Sequence, residues 1–105
     1  MRIRVSSPGN DLSQGDLDDI ERDLDKIARR FADRANEATT DVRIKKDDGS
    51  NEFRVVVELH YGKNHLVAKH EHSDMGQAVR AAREEILRQI NDRKHGGHTS
   101  MAKGR

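Results

Sequence analysis

The apolar residues of this chain switch back and forth between two periods, and that alternation restricts the fold more than any other feature. Ile3 and Val5 alternate with Arg2 and Arg4, the pattern of a short strand with one buried face. Ser7-Pro8-Gly9-Asn10 then turns the chain. Leu17, Ile20, Leu24, Ile27, Phe31 and Ala35 recur at three- and four-residue steps and so share one face of a helix. Ser13 can cap that helix, with Asp16 as its capping-box partner. The period of two returns in Thr40, Val42 and Ile44, and again in Phe53, Val55, Val57, Leu59 and Tyr61. Asp47-Asp48-Gly49-Ser50-Asn51 and Tyr61-Gly62-Lys63-Asn64 are the turns between strands. A third strand covers residues 65–72, with Leu66 and Ala68 on its buried side. A second helix begins after Ser73 or Asp74, carries Met75, Ala78, Val79, Ala82, Ile86 and Ile90 on one face, and ends at Gly96-Gly97.

The order β-α-β-β-β-α predicts an α+β fold, a two-layer sandwich with two helices on one face of a four-stranded sheet. The first strand enters the sheet after a helical crossover, so parallel pairing with a neighbour is expected. The other sheet face is expected to be solvated, with Arg2, Arg4, Arg43, Lys45, Arg54, Glu58, His60 and Lys69 on it. Residues 1–95 are expected to form one domain, and 96–105, without any apolar period, a disordered tail.

Only 32% of the 105 residues are hydrophobic and 3% aromatic, so the core is thin and aliphatic. No run approaches the roughly 20 apolar residues of a spanning helix. Met1-Arg2-Ile3-Arg4-Val5 is no secretory h-region. The absence of cysteine removes disulfides and thiolate metal sites and is compatible with a reducing cytoplasm.

Little points to catalysis. There is no P-loop, dinucleotide fingerprint or nucleophile elbow. Ser6, Ser7, Ser13, Ser50, Ser73 and Ser100 fall in turns, caps or the tail. The acids of the first helix read as a solvated arc. His70 and His72 share a strand face, and His60 or His65 can lie on the neighbouring strand. Such imidazoles can bind zinc or nickel adventitiously. The sequence identifies neither further ligands nor a second shell. No metal, cofactor, small-molecule substrate or membrane is therefore expected.

Charge is nearly balanced, at +1 net, but unevenly distributed. From Asp16 to Asp25 six acids face one base, and from Lys26 to Arg34 four bases face one acid. This polarity complements the helix dipole. It also makes a candidate polyanion surface. Arg22, Lys26 and Arg29 form a stripe on the first helix, with Arg30 beside it. On the second helix Arg80, Arg83 and Lys94 share a flank, and Arg88 lies further round. With the helices side by side, these residues are predicted to form one phosphate-binding patch. The scarcity of aromatics argues against a base-stacking reader.

Several short motifs also resemble one family. Lys26-Ile27-Ala28-Arg29-Arg30-Phe31 is similar to a Lys-Leu-Glu-Lys-aromatic segment of the ribosome hibernation promoting factors, also called ribosome-associated inhibitor A or sigma-54 modulation proteins. Leu66-Val67-Ala68, His72-Ser73-Asp74-Met75, Ala78-Val79 and Arg88-Gln89-Ile90 follow in the family's order. The likeness runs through about residues 1–95. It implies a layout similar to the double-stranded RNA-binding fold. It also implies a cytoplasmic translation inhibitor that binds small-subunit rRNA in the mRNA and tRNA channel, keeping idle ribosomes inactive in stress or stationary phase. Lys26, Arg29 and Arg88 fall on the family's basic positions, while Arg30, Arg80 and Arg83 come from the helical geometry. Glu85 stands where the family often has a base, and Gly76 where it often has tyrosine. The expected form is a short one without the dimerising C-terminal domain, acting as a monomer when bound. The alternative is a protein-interaction module of the same fold that has lost ribosome binding.

Overall fold

The computed structural model describes residues 1–9, 12–31, 37–47, 49 and 51–94, with the side chains of Arg93 and Lys94 outside that description. The element order is β1 (Arg2–Ser6), α1 (Gln14–Arg29), β2 (Ala38–Asp47), β3 (Glu52–Tyr61), β4 (Asn64–His72) and α2 (Met75–Lys94). The sheet runs β1-β2-β3-β4. β1 lies parallel to β2, with Ile3 opposite Thr40 and Val5 opposite Val42. The other two pairs are antiparallel. The α+β sandwich predicted from the change of period is the observed fold.

α1 starts as its sequence requires. The Ser13 hydroxyl accepts from the Asp16 N–H at 3.0 Å, and the Asp16 carboxylate accepts from the Ser13 N–H at 3.1 Å. Two N–H groups without helical partners are thereby satisfied. The apolar period runs on to Ala35, but α1 stops at Arg29. The Arg30 and Phe31 N–H groups donate to the carbonyls three residues back, of Ile27 and Ala28, which tightens the last turn. Phe31 still serves the apolar layer from just beyond the helix, its ring 4.5 Å from that of Tyr61. Ala35 lies outside the described residues, as do Gly96-Gly97 and the rest of the expected tail.

α2 is launched by Asp74. Its side chain accepts from the Gly76 N–H at 2.9 Å, and its carbonyl accepts from the Ala78 N–H. His72 Nδ1 accepts from the Asp74 N–H at 2.8 Å. The His72-Ser73-Asp74-Met75 segment is thus a chain-reversing cap between β4 and α2.

The core lies between the layers. Ile20, Leu24 and Ile27 of α1 and Ala78, Val79, Ala82 and Ile86 of α2 cover Val42, Ile44, Val55, Val57, Leu59, Leu66 and Ala68 of the sheet. Every side chain in this set is aliphatic, so the core depends on close packing of small groups. At the β4 edge, Gln89 Nε2 donates to the Val67 carbonyl at 2.9 Å. This ties α2 to the last strand of the described sheet.

Candidate nucleic-acid interface

Contacts between the helices fix their relative direction. Asp23 of α1 meets Arg80 and Arg83 early in α2, and Arg30 after α1 bonds to Asn91 late in α2. The helices therefore run the same way. Their N-terminal ends meet beside a cleft of about 710 Å³ whose lining mixes acids, Asp16, Asp19, Asp23 and Asp74, with the bases Arg22, Lys46 and Arg80. The later turns carry Lys26 and Arg29 on α1, with Arg30 just past its end, and Arg88 on α2. The acidic start of α1 thus lies beside Arg80 and Arg83 of α2, and the basic end of α1 lies beside the half of α2 that carries Arg88.

The predicted basic residues have distinct environments. Lys26 and Arg88 are exposed and make no ion pair among the described residues. Arg29 pairs with Asp25 and Arg22 with Asp19, both at 3.1 Å and both well exposed. Exposed pairs of this kind contribute at most about 1 kcal/mol, so neither ties up its arginine strongly. Arg30 lies at the seam with Asn91. By the helical angle of about 100° per residue, Arg88 lies about 140° round α2 from Arg83, on the outer crest of that helix. Lys94 is the last residue of α2, and its side chain lies outside the described residues.

Arg83 departs from the expectation of a surface patch. It is 8% exposed and fills the seam between the helices. Its Nη1 lies 3.4 Å from the Asp23 carbonyl and 3.7 Å from the Asp23 carboxylate. Its Nη2 lies 2.7 Å from Glu84. Arg80 reaches the same Asp23 carboxylate at 3.5 Å. The flank of α2 was legible from angular spacing, but the depth depends on how closely α1 approaches. Asp23, expected in the solvated arc of α1, is half-buried at this seam.

Glu85 has a local partner. Its Oε1 is 2.7 Å from His70 Nε2, and its Oε2 accepts from Gln89 Nε2 at 3.2 Å. Its charge is directed at the β4 edge, away from the outer crest that carries Arg88.

The solvated sheet face is as predicted in kind but has more internal pairing. Arg4 binds Asp41 through two bonds of 2.7 and 3.1 Å, and Arg54 binds Glu71 at 2.8 Å. The Arg4 guanidinium is held above its ordinary pKa by the hydrogen bond to Asp41 and then by its charge. Arg43 and Lys69 flank Val56 across the strands and have no ion pair among the described residues. The predicted neighbourhood of His70 with His60 or His65 does not occur. Register places His60 opposite His65 on the solvated face, whereas His70 lies opposite Val55, on the helix side.

The two-layer fold with co-directional helices defines a class of α+β domain also found in solved structures. The N-terminal domain of Protein Y from Thermus thermophilus superposes with a TM-score of 0.74 at 16% identity, over 86% of this chain and 96% of that one. A ribosomal subunit interface protein from Coxiella burnetii also gives 0.74, at 18% identity, over 90% of this chain and 99% of that one. No curated protein sequence matches the chain. Residues 3–96 match the sequence profile of the family described as Sigma 54 modulation protein / S30EA ribosomal protein, and the chain belongs to that family. This is a family of ribosome-associated modulation proteins and not of enzymes. No described helix is long and apolar enough to cross a membrane.

Proposed function

We propose that this protein is a cytosolic ribosome hibernation factor. It binds small-subunit rRNA in the mRNA and tRNA channel and inhibits translation by occupying it, during stress or stationary phase. The observation that carries this reading is the family match over residues 3–96. The charge arrangement supports it, because Lys26 and Arg88 are exposed without ion pairs among the described residues and Arg22 and Arg29 hold only exposed ones. Such side chains neutralise phosphates without reading bases. Arg22, Lys26, Arg29, Arg30 and Arg88 are the proposed contacts, with Arg80 and Lys94 at the margins. Arg83 acts through the helix seam that keeps Lys26, Arg29 and Arg30 beside the half of α2 that carries Arg88. Residues 1–95 form the binding domain, which acts as a monomer when bound.

A second reading is a protein-interaction module of the same fold. Neutralisation of Arg80 and Arg83 by Asp23 favours it, since it lowers the free positive charge on the helices. Co-sedimentation with bacterial ribosomes on sucrose gradients separates the two. Retention on the small subunit or the whole ribosome at physiological salt is the expected result. Retention only at low salt, or none, overturns the hibernation reading.

A further inference from the structure

The β3–β4 hairpin carries a group of side chains that the ribosome reading does not use. The two-residue turn Gly62-Lys63 closes on the pair Tyr61 and Asn64, and the next pair is His60 opposite His65. Directly opposed side chains in an antiparallel pair stand about 4.5–5.5 Å apart at Cβ. The two imidazoles are stacked, with centroids 4.4 Å apart and planes 11° from parallel. Glu58, two residues before His60 and so on the same sheet face, brings Oε2 to 3.0 Å from His65 Nε2. One donor atom from each of Glu58, His60 and His65 lies within 4.8 Å of the others.

We propose that Glu58, His60 and His65 form a binding site for one zinc ion, with water completing its coordination. The donor set is two imidazoles and a carboxylate, which suits zinc. Zn–N and Zn–O distances of about 2.0–2.2 Å place tetrahedral donors about 3.4 Å apart. The Glu58–His65 pair is already inside that separation, and the remaining convergence needs only rotation of half-exposed side chains. The backbone is already fixed by the tight turn, so little chain entropy is lost on binding. Asp41 stands behind His60, its Oδ2 3.8 Å from Nε2. Both of its carboxylate oxygens are bonded to Arg4, so it is not counted among the ligands. The site faces away from both helices and is independent of the ribosome reading.

Calorimetric titration of the full chain with zinc chloride tests this directly. One equivalent is expected near neutral pH, with binding weakening as the pH falls, because protons compete with zinc for its ligands. The ring-proton resonances of His60 and His65 are expected to shift with zinc, while those of His70 and His72 stay in place. His65→Ala is expected to abolish the stoichiometric site, and Glu58→Gln to weaken it about tenfold or more. All three side chains are at least partly exposed, and circular dichroism verifies that each variant is folded. No stoichiometric binding overturns the proposal. So does binding that survives the double variant His60→Ala/His65→Ala, or resonance shifts confined to other histidines.

Discussion

Asp23 and Arg83 meet across the seam between α1 and α2, carboxylate to guanidinium at 3.7 Å, with the Asp23 carbonyl 3.4 Å from the same nitrogen. Arg83 is among the core-side residues of α2, and its neighbours Ala82 and Ile86 are fully buried. A guanidinium there is tolerated because Asp23 and Glu84 share its charge. Glu84 is largely exposed, so Asp23 is the partner that screens the buried end. Asp23→Ala is therefore expected to cost about 1–3 kcal/mol in urea unfolding, more than Glu84→Ala. Arg83→Met, which removes the charge and keeps most of the volume, is expected to be milder than Asp23→Ala. If Asp23→Ala proved as stable as the parent, the Asp23–Arg83 contact would contribute nothing to holding the seam.

The edge of β4 offers a second stability test. Gln89 bonds both the Val67 carbonyl and Glu85, and Glu85 bonds His70. The three side chains form one network joining α2 to the strand. Groups in a shared network couple, by about 0.5–3 kcal/mol. A double-mutant cycle on Gln89→Ala and Glu85→Ala is expected to return a coupling in that range. Strict additivity would mean that the bond between the two residues contributes nothing. The cycle also bears on Glu85 as a departure from the family pattern, since it asks whether the residue holds the edge.

Most of the layout was legible because it follows from local rules. A period of two or of three to four residues decides strand or helix. The length of the Gly62-Lys63 turn already determines that His60 opposes His65. His70, five residues after His65, must then point to the other face, away from His60. What local rules do not give is distance between elements. Arg83 and Asp23 each have a helical angle consistent with a surface flank. Only the approach of α1 to α2 turns both flanks into a seam. The end of α1 escapes the periodicity for a related reason. Phe31 continues the apolar period yet meets Tyr61 from outside the helix.

The cap of α1 makes a compact test of one such local rule. Ser13→Ala removes the acceptor for the Asp16 N–H and leaves the reciprocal bond to Asp16 in place. A loss of about 1 kcal/mol is expected in urea unfolding. Ser13→Gly should cost only a few tenths, because glycine also suits the cap backbone. Equal losses in the two variants would assign the effect to the hydroxyl that both lack and not to backbone conformation.

The ribosome reading predicts a specific pattern of failure. Lys26→Glu and Arg88→Glu change exposed cations that have no ion pair among the described residues, so folding is expected to be unaffected. Ribosome retention at physiological salt is expected to be lost when both are changed. Neutralising them instead, as Lys26→Gln with Arg88→Gln, should weaken binding and also flatten its dependence on salt. Each phosphate contact removed should reduce the slope of log K against log salt by about 1. Arg83→Gln is the informative control, because Arg83 lies in the seam and faces no solvent phosphate. It is expected to lower stability while leaving the salt slope of the folded fraction unchanged. A lower slope for Arg83→Gln, together with an unchanged slope for the double variant, would move the interface from the outer helix surfaces to the seam. That outcome would require the helices to part on binding.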